Sequence, residues 1–240
     1  MTLDDRLHYI LFGFQILTLP VNERYGLSLF VTLEGVEGSG KTTQIRRLKR
    51  YLNRKGIPCV ATREPGGTRI GEKIRRILLD RSHRDIVPMN ELFLYEAARA
   101  QHIKEVIQPL LRKKVVILCD RFSDASIAYQ GHGRGISLRW VEQLNRIATG
   151  GIKPHLTFLL DCPSDTGLKR ALRRNLRKKD KEDRFEREKI QFHNRVRRGY
   201  LSLAHREPSR IKVIDTRQGE EMVFQEMRQH IDRLLRRKGY

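Results

Sequence analysis

Gly35-Val36-Glu37-Gly38-Ser39-Gly40-Lys41-Thr42 fits the pattern G-x-x-x-x-G-K-[ST], and its reading decides the fold. Glycine at 35 and 40 lets the backbone take conformations that a Cβ forbids. Successive N–H groups then converge on phosphate oxygens in front of a helix N-terminus. Lys41 brings charge to the outer phosphates, and the Thr42 hydroxyl suits Mg²⁺. The flanks agree. Leu29-Phe30-Val31-Thr32-Leu33 is a short apolar run that reads as a buried strand, and Thr43 to Arg54 carries Ile45, Leu48 and Leu52 at helical spacing. Strand, loop and helix in this order make Gly35 through Thr43 a cradle for nucleotide phosphates, ATP or GTP. The loop does not name the reaction.

Apolar, β-rich runs recur outward from it at Leu29–Leu33, Pro58–Thr62, Val115–Cys119, Leu156–Asp161 and Ile211–Asp215. Helical periodicity falls between them, at Thr43–Lys55, Gly71–Asp80, Trp140–Thr149, Asp165–Lys178 and Glu220–Arg237. Asn90–Arg112 reads as two consecutive helices broken near Pro109. This alternation predicts an α/β fold with a mainly parallel five-stranded sheet and helices on both faces. Ligands of such sheets bind at the carboxyl ends of the strands. The phosphate loop, Arg63-Glu64, Asp120-Arg121 and Asp215-Thr216 all lie at such ends. No internal repeat or second domain is visible.

A chain of 240 residues buries one full core, and its 49 Lys+Arg against 28 Asp+Glu leave an excess of 21 positive charges. That excess favours polyanions, nucleotides and nucleic acid among them, and fits a solvated basic surface equally well. Cys59, Cys119 and Cys162 form no C-x-x-C pair, which argues against a zinc or redox motif and for reduced thiols in a cytoplasmic protein. Tyr9 to Val21 is too short and too interrupted to span a bilayer. Asp4 and Asp5 ahead of it, with no small-residue cleavage site behind, fit a signal peptide poorly. Residues 1–27 therefore read as an N-terminal extension: an added helix, a disordered arm or a start codon placed too early.

Arg63-Glu64-Pro65-Gly66-Gly67-Thr68 after the second strand is a tight turn flanked by charge of both signs. Cys119-Asp120-Arg121-Phe122 closes the third. Asp120 there suits Mg²⁺ or its water shell, and Arg121 suits a phosphate; a structural ion pair is the alternative. Tyr95 and Arg99 share a helix face, as a base-stacking pair or as core residues would. Arg170 to Arg198 is the most charged stretch, a solvated excursion between two helices that fits a mobile lid or an ordinary charged hairpin.

Together these segments resemble thymidylate kinases, the enzymes that phosphorylate dTMP with ATP. The resemblance runs from Leu29 to the C-terminus. It rests on Leu33 through Gln44, Thr62-Arg63-Glu64-Pro65-Gly66-Gly67-Thr68, Ala97-Ala98-Arg99-Ala100-Gln101-His102, Asp120-Arg121-Phe122, Ala128-Tyr129-Gln130-Gly131 and Asp183-Arg184-Phe185-Glu186. It implies a three-layer P-loop NTPase fold, spanning 28–240 with a lid at about 173–186, and a cytoplasmic homodimer with ATP and Mg²⁺ as cofactors and no specific nucleic-acid partner. It also implies roles. Lys41 and Thr42 hold the ATP phosphates and Mg²⁺, with Asp120 on the metal side. Glu37 lies near the acceptor sugar, Tyr95 stacks on thymine and Arg99 contacts the base edge. Arg121 grips the acceptor phosphate with help from Arg75. Tyr129 lies beside the deoxyribose, and Gln130 is a weaker contact. Gly38 stands where some relatives carry an arginine, so the catalytic arginine comes from the lid, with Arg174 and Arg184 as best matches. The lid carries extra Lys178-Lys179-Asp180-Lys181, and Ala125, followed by Ser126, replaces a usual serine. The Thr216-Arg217-Gln218 turn and lid residues are the candidates for adenine. The competing expectations are another nucleoside or nucleotide kinase, and a nucleic-acid-dependent ATPase.

Overall fold

A computed structural model describes residues 28–178 and 182–240, the side chains of 177 and 178 excepted. The extension 1–27 and most of the additional lid residues lie outside that description. Five parallel strands form one sheet in the order β2-β3-β1-β4-β5: β1 Leu29–Glu34, β2 Cys59–Arg63, β3 Val116–Asp120, β4 Leu156–Asp161 and β5 Ile211–Asp215. Leu33 and Arg63 both pair with Asp120, and Asp161 pairs with Asp215, so the carboxyl ends end level. The chain turns to opposite sides after β1, which makes the crevice beside β1 and β3 the switch point.

Residue alternation on β1 explains the layers. Leu29, Val31 and Leu33 face α1 (Lys41–Arg54) and α9 (Glu220–Arg237), where Leu48, Leu52, Phe224 and Met227 close one core. Phe30 faces the other way, onto Phe122, Ile103 and Ile107. Thr32 and Glu34 share that second face; the Thr32 hydroxyl is satisfied by Thr157 Oγ1 at 2.8 Å. The second face is covered by α3 (Pro88–His102), α6 (Leu138–Thr149) and α8 (Ile190–Arg206). The remaining long helices are α2 (Arg69–Leu79) and α7 (Ser164–Lys178), with short α4 (Gln108–Leu111) and α5 (Ser123–Ser126) between.

Three details depart from expectation. The break in Asn90–Arg112 comes earlier than Pro109: a π-helical turn, Ile103–Ile107, follows α3 and leads into α4. Pro109 has no N–H to donate and its ring excludes the Glu105 carbonyl, so the widened turn lies before the proline. Residues 127–133 form a second π-helical turn, where only the motif Ala128-Tyr129-Gln130-Gly131 had been noted. Helix α8 starts inside the charged stretch and runs beyond it, its Phe192, Val196, Tyr200 and Leu203 buried at helical spacing. Among the described residues no helix is long and apolar enough to cross a membrane.

Leu48 lies at the centre of the α1–sheet core with no exposed surface. Leu48→Ala is expected to lower unfolding free energy by about 2–5 kcal/mol, read as an earlier urea midpoint with an unchanged m-value.

Candidate active site

The main cavity, about 960 Å³, opens at the carboxyl ends of the strands and runs from the phosphate loop to the α3 and α7 helices. Glu37 to Thr43, Asp120, Arg121, Tyr95, Tyr129, Gln130, Arg75 and Arg174 all line it. Gly35 and Val36 lie behind it, as backbone support and core: the Gly35 and Val36 carbonyls accept from Lys41 Nζ at 2.9 Å each. Lys41 is thus folded into its own loop. Burial and nearby Arg121 lower its pKa to about 8, against the pull of Asp120, Glu37 and Glu34. Thr42 Oγ1 donates to Asp120 Oδ2 at 3.1 Å, which joins the two oxygens expected on the metal side. A hydroxyl and one carboxylate are hard oxygen donors. They fit Mg²⁺, which keeps waters and substrate phosphates as its other ligands.

Glycine at 38 has a physical cause. Its φ is +70°, and a Cβ there would sit 2.0 Å from the Gly167 carbonyl oxygen on α7. The contact is reciprocal, since a Cβ on Gly167 would sit 2.4 Å from the Glu37 carbonyl oxygen. This mutual backbone approach lays α7 against the phosphate loop. It carries Arg170 and Arg174, one turn apart, into the cavity. Arg170, named in the sequence reading only as the start of the charged stretch, was not among the candidate site residues, although its spacing of four from Arg174 and three from Gly167 was available. Arg174 pairs with Glu186 at 3.3 Å. Arg184 goes elsewhere: it is buried, donates to the Leu78 carbonyl, stands 2.8 Å from Glu91, and lines a separate cavity.

Arg121 is the centre of the end of the cavity away from Lys41. It is the one non-glycine residue with positive φ (70°) among the described residues, held by its N–H to the Leu33 carbonyl at 3.1 Å. Its Nη2 donates to Glu37 Oε1 at 3.0 Å and its Nη1 to the Tyr200 hydroxyl at 3.1 Å. Its guanidinium lies 4.8 Å from the centre of the Tyr129 ring, and Tyr129 donates to the same Glu37 oxygen. Burial alone would raise the pKa of Glu37, but His193, Arg121 and Lys41 outweigh it and hold the carboxylate well below its usual range. Glu37 Oε2 is buried 3.4 Å from His193 Nδ1 and has no hydrogen-bond partner among the described residues. Tyr200 and Glu34 are further residues that sequence reasoning missed. Tyr200 donates to Glu34 Oε2 at 2.7 Å, and Glu34 Oε1 accepts the Phe122 N–H at 2.7 Å.

Arg99, expected at the base edge, does not line the cavity. It is wholly buried, with Nε on Glu64 (2.8 Å), Nη1 on Glu96, Ser126 and Asn145, and Nη2 on the Phe122 carbonyl. Its donors are spent on protein, because the buried carboxylates of Glu64 and Glu96 and the neighbouring polar groups meet its guanidinium there. Gln130 is half committed: it lines the cavity while donating to Glu91 at 2.8 Å. Arg75 lines it while bound to Glu182 and the Pro65 carbonyl. Tyr95 and Tyr129 flank Phe185, with ring centres 6.3 and 5.5 Å away. Ser126, the hydroxyl next to Ala125, is turned to Arg99. Of the turn expected to meet adenine, Thr216 reaches the cavity, whereas Arg217 is exposed and paired with Asp215.

A phosphate loop on a parallel sheet, an acid at the end of the neighbouring strand and a second set of cations opposite define a P-loop phosphotransferase of the nucleoside monophosphate kinase class. Residues 33–227 match the sequence model of the family described as thymidylate kinase, and the chain belongs to that family. It is 54% identical over 189 residues to the thymidylate kinase of Desulfosudis oleivorans, covering 78% of this chain and 88% of that one. With the thymidylate kinase of Citrifermentans bemidjiense it is 49% identical over 213 residues, covering 87% and 95%. The crystal structure of thymidylate kinase from Ehrlichia chaffeensis superposes with a TM-score of 0.68 at 33% identity, covering 85% of this chain and 98% of that one.

Burial and the nearby Asp124 push Glu34 from 4.5 up to about 8, against the pull of Arg121. The folded state then holds a proton that the unfolded chain has released, so stability falls as pH rises from 4.5 through about 8. Urea midpoints measured across that window are expected to fall in the wild type and to fall less in Glu34→Gln. An identical slope in the two proteins overturns this account.

Proposed function

We propose that this protein transfers the γ-phosphoryl group of ATP, with Mg²⁺, to dTMP, forming dTDP and ADP. The observation that carries the reading is the two-ended cavity: Lys41, Thr42 and Asp120 at one end, Arg121 with Glu37 and Tyr129 at the other. A dTMP phosphate oxygen attacks the γ-phosphorus, and the bond to the β-bridging oxygen breaks. The acceptor oxygen is already anionic near neutral pH, so the protein supplies position and charge rather than a strong base. Lys41 leaves its loop carbonyls for the transferred phosphates. Arg121 exchanges part of its pairing with Glu37 for the dTMP phosphate and offsets repulsion between the two anions. Glu37 Oε2, buried with only a long approach of 3.4 Å from His193 Nδ1, is matched by a hydroxyl of the deoxyribose. Tyr95 and Phe185 offer ring faces for thymine, and Tyr129 crowds the sugar. Thr42, and Asp120 directly or through water, would hold Mg²⁺, which when bound would neutralise charge on the nucleotide phosphates. The transition-state arginine comes from α7, where Arg174 and Arg170 both face the cavity. Arg184 reaches it only by leaving Glu91.

A coupled ADP-release assay across dTMP, dUMP, UMP, CMP, AMP and thymidine tests the acceptor. The expected outcome is preference for dTMP; a better turnover with another acceptor overturns it. Lys41→Ala and Arg121→Ala are expected to remove most transfer while leaving the fold intact. Of the α7 and lid arginines, the one that acts on the transferred group is expected to cost roughly 10³-fold in kcat when changed to Ala. If Arg170→Ala, Arg174→Ala and Arg184→Ala all turn over normally, catalysis by arginine from this region is wrong.

The protein is further proposed to work as a homodimer. Neighbouring helices α2, α3 and α6 expose Ile70 and Ile77, Met89 and Phe93, and Trp140 and Ile147 at helical spacing. Apolar rows on adjacent outer helices fit a second copy of the same surface. Sedimentation of the wild type is expected to give twice the chain mass, and Phe93→Glu to give the chain mass; a monomeric wild type refutes the dimer.

A further inference from the structure

A second cavity, about 550 Å³, lies between the α2–α3 connection and the base of the lid and shares no lining residue with the main one. Five guanidinium groups, those of Arg81, Arg84, Arg134, Arg184 and Arg187, line it against one carboxylate, Glu188. Existing pairs offset only part of this charge. Arg134 binds Glu188 at 2.6 Å and the buried Glu91 at 3.0 Å, and Arg187 binds Asp183 at 3.1 Å. Arg81 and Arg84 have no carboxylate partner among the described residues. Arg184 is 6% exposed; its Nε donates to the Leu78 carbonyl, while its Nη2 stands 2.8 Å from Glu91 as an ion pair without hydrogen-bond geometry to any acceptor among the described residues. A buried donor in that state, within a ring of like charges, is costly unless an anion completes it. Planar forks converging on a cavity of this size suit phosphate oxygens taken two at a time.

We propose that this cavity is a second anion site, which takes a compact diphosphate or triphosphate group. Its occupant binds Arg81 and Arg84 and competes with Glu91 for Arg134 and Arg184. The two cavities meet through two residues. Glu91 also accepts Gln130, which lines the main cavity. Phe185 lines the main cavity too, and the Arg134 and Arg184 guanidiniums lie 5.6 and 4.5 Å from its ring centre. An anion that draws these arginines outward therefore moves the wall against which the acceptor packs.

Calorimetric titration of inorganic pyrophosphate into the full chain tests the site, with Lys41→Ala and Arg121→Ala combined to disable the main cavity. One saturable site is expected, and adding Arg81→Ala and Arg84→Ala is expected to weaken it about tenfold or more. Both arginines are exposed, so the fold is kept and circular dichroism verifies it. Absence of saturable binding, or binding indifferent to Arg81 and Arg84, overturns the proposal. A parallel titration with dTTP distinguishes the source of the phosphate: tighter binding than pyrophosphate assigns the site to a nucleotide tail, equal binding to free phosphates. With main-cavity residues intact, Arg81→Ala/Arg84→Ala is expected to leave kcat without added pyrophosphate unchanged.

Discussion

Arg99 holds together the parts that meet at the strand ends. Its side chain joins the turn after β2 through Glu64, its own helix through Glu96, the residue after Arg121 through the Phe122 carbonyl, and α6 through Asn145. His102 extends the network to Glu64 Oε1 and Thr62. Burial raises the pKa of Glu96, whereas at Glu64 the Arg99 charge and the His102 hydrogen bond overcome burial and lower it. Buried charges of this kind are strong where every donor is used and costly where one is orphaned. Each of the three guanidinium nitrogens of Arg99 donates at least one bond. The consequence is a rigid floor under this end of the cavity, with Arg121 rather than Arg99 facing the cavity.

Arg121 can serve there because its surroundings over-determine it. A left-handed backbone at a residue with a Cβ costs about 1–2 kcal/mol. The strand register beside it, its bond to the Leu33 carbonyl and the Tyr200–Glu34 relay keep it in place. The same residues set the local field. Glu34, buried beneath, and Glu37, beside the ring of Tyr129, titrate in opposite directions because one is dominated by loss of water and the other by its cations.

Gly38 and Gly167 show how a missing side chain positions a present one. Their backbones approach closely enough to exclude any Cβ, and α7 leaves that contact with Arg170 and Arg174 directed over the loop. A side chain at 38 would displace the helix that brings these arginines. The absence of arginine from the loop and its presence on α7 are thus two aspects of one packing contact.

Much was legible in the chain itself. Apolar runs of strand length between helical periods specified five parallel strands, and the glycines, Lys41 and Thr42 specified the phosphate cradle, because these signals are local: they need only the spacing of neighbouring residues. Thr42 and Asp120 were each expected on the metal side; that they bond to each other emerged only from the fold, which sets the start of α1 beside the end of β3. The distribution of arginines was not legible. Arg99, Arg121, Arg170, Arg174 and Arg184 are the same chemical group, and no spacing rule tells which donors protein carboxylates will occupy. Tertiary packing decided it, by surrounding Arg99 with four segments, seating Arg184 on Glu91, and leaving Arg121, Arg170 and Arg174 to face the cavity. Helix α8 was hidden for a related reason: its buried face is regular, but the exposed charges between those residues dominate a reading made along one dimension.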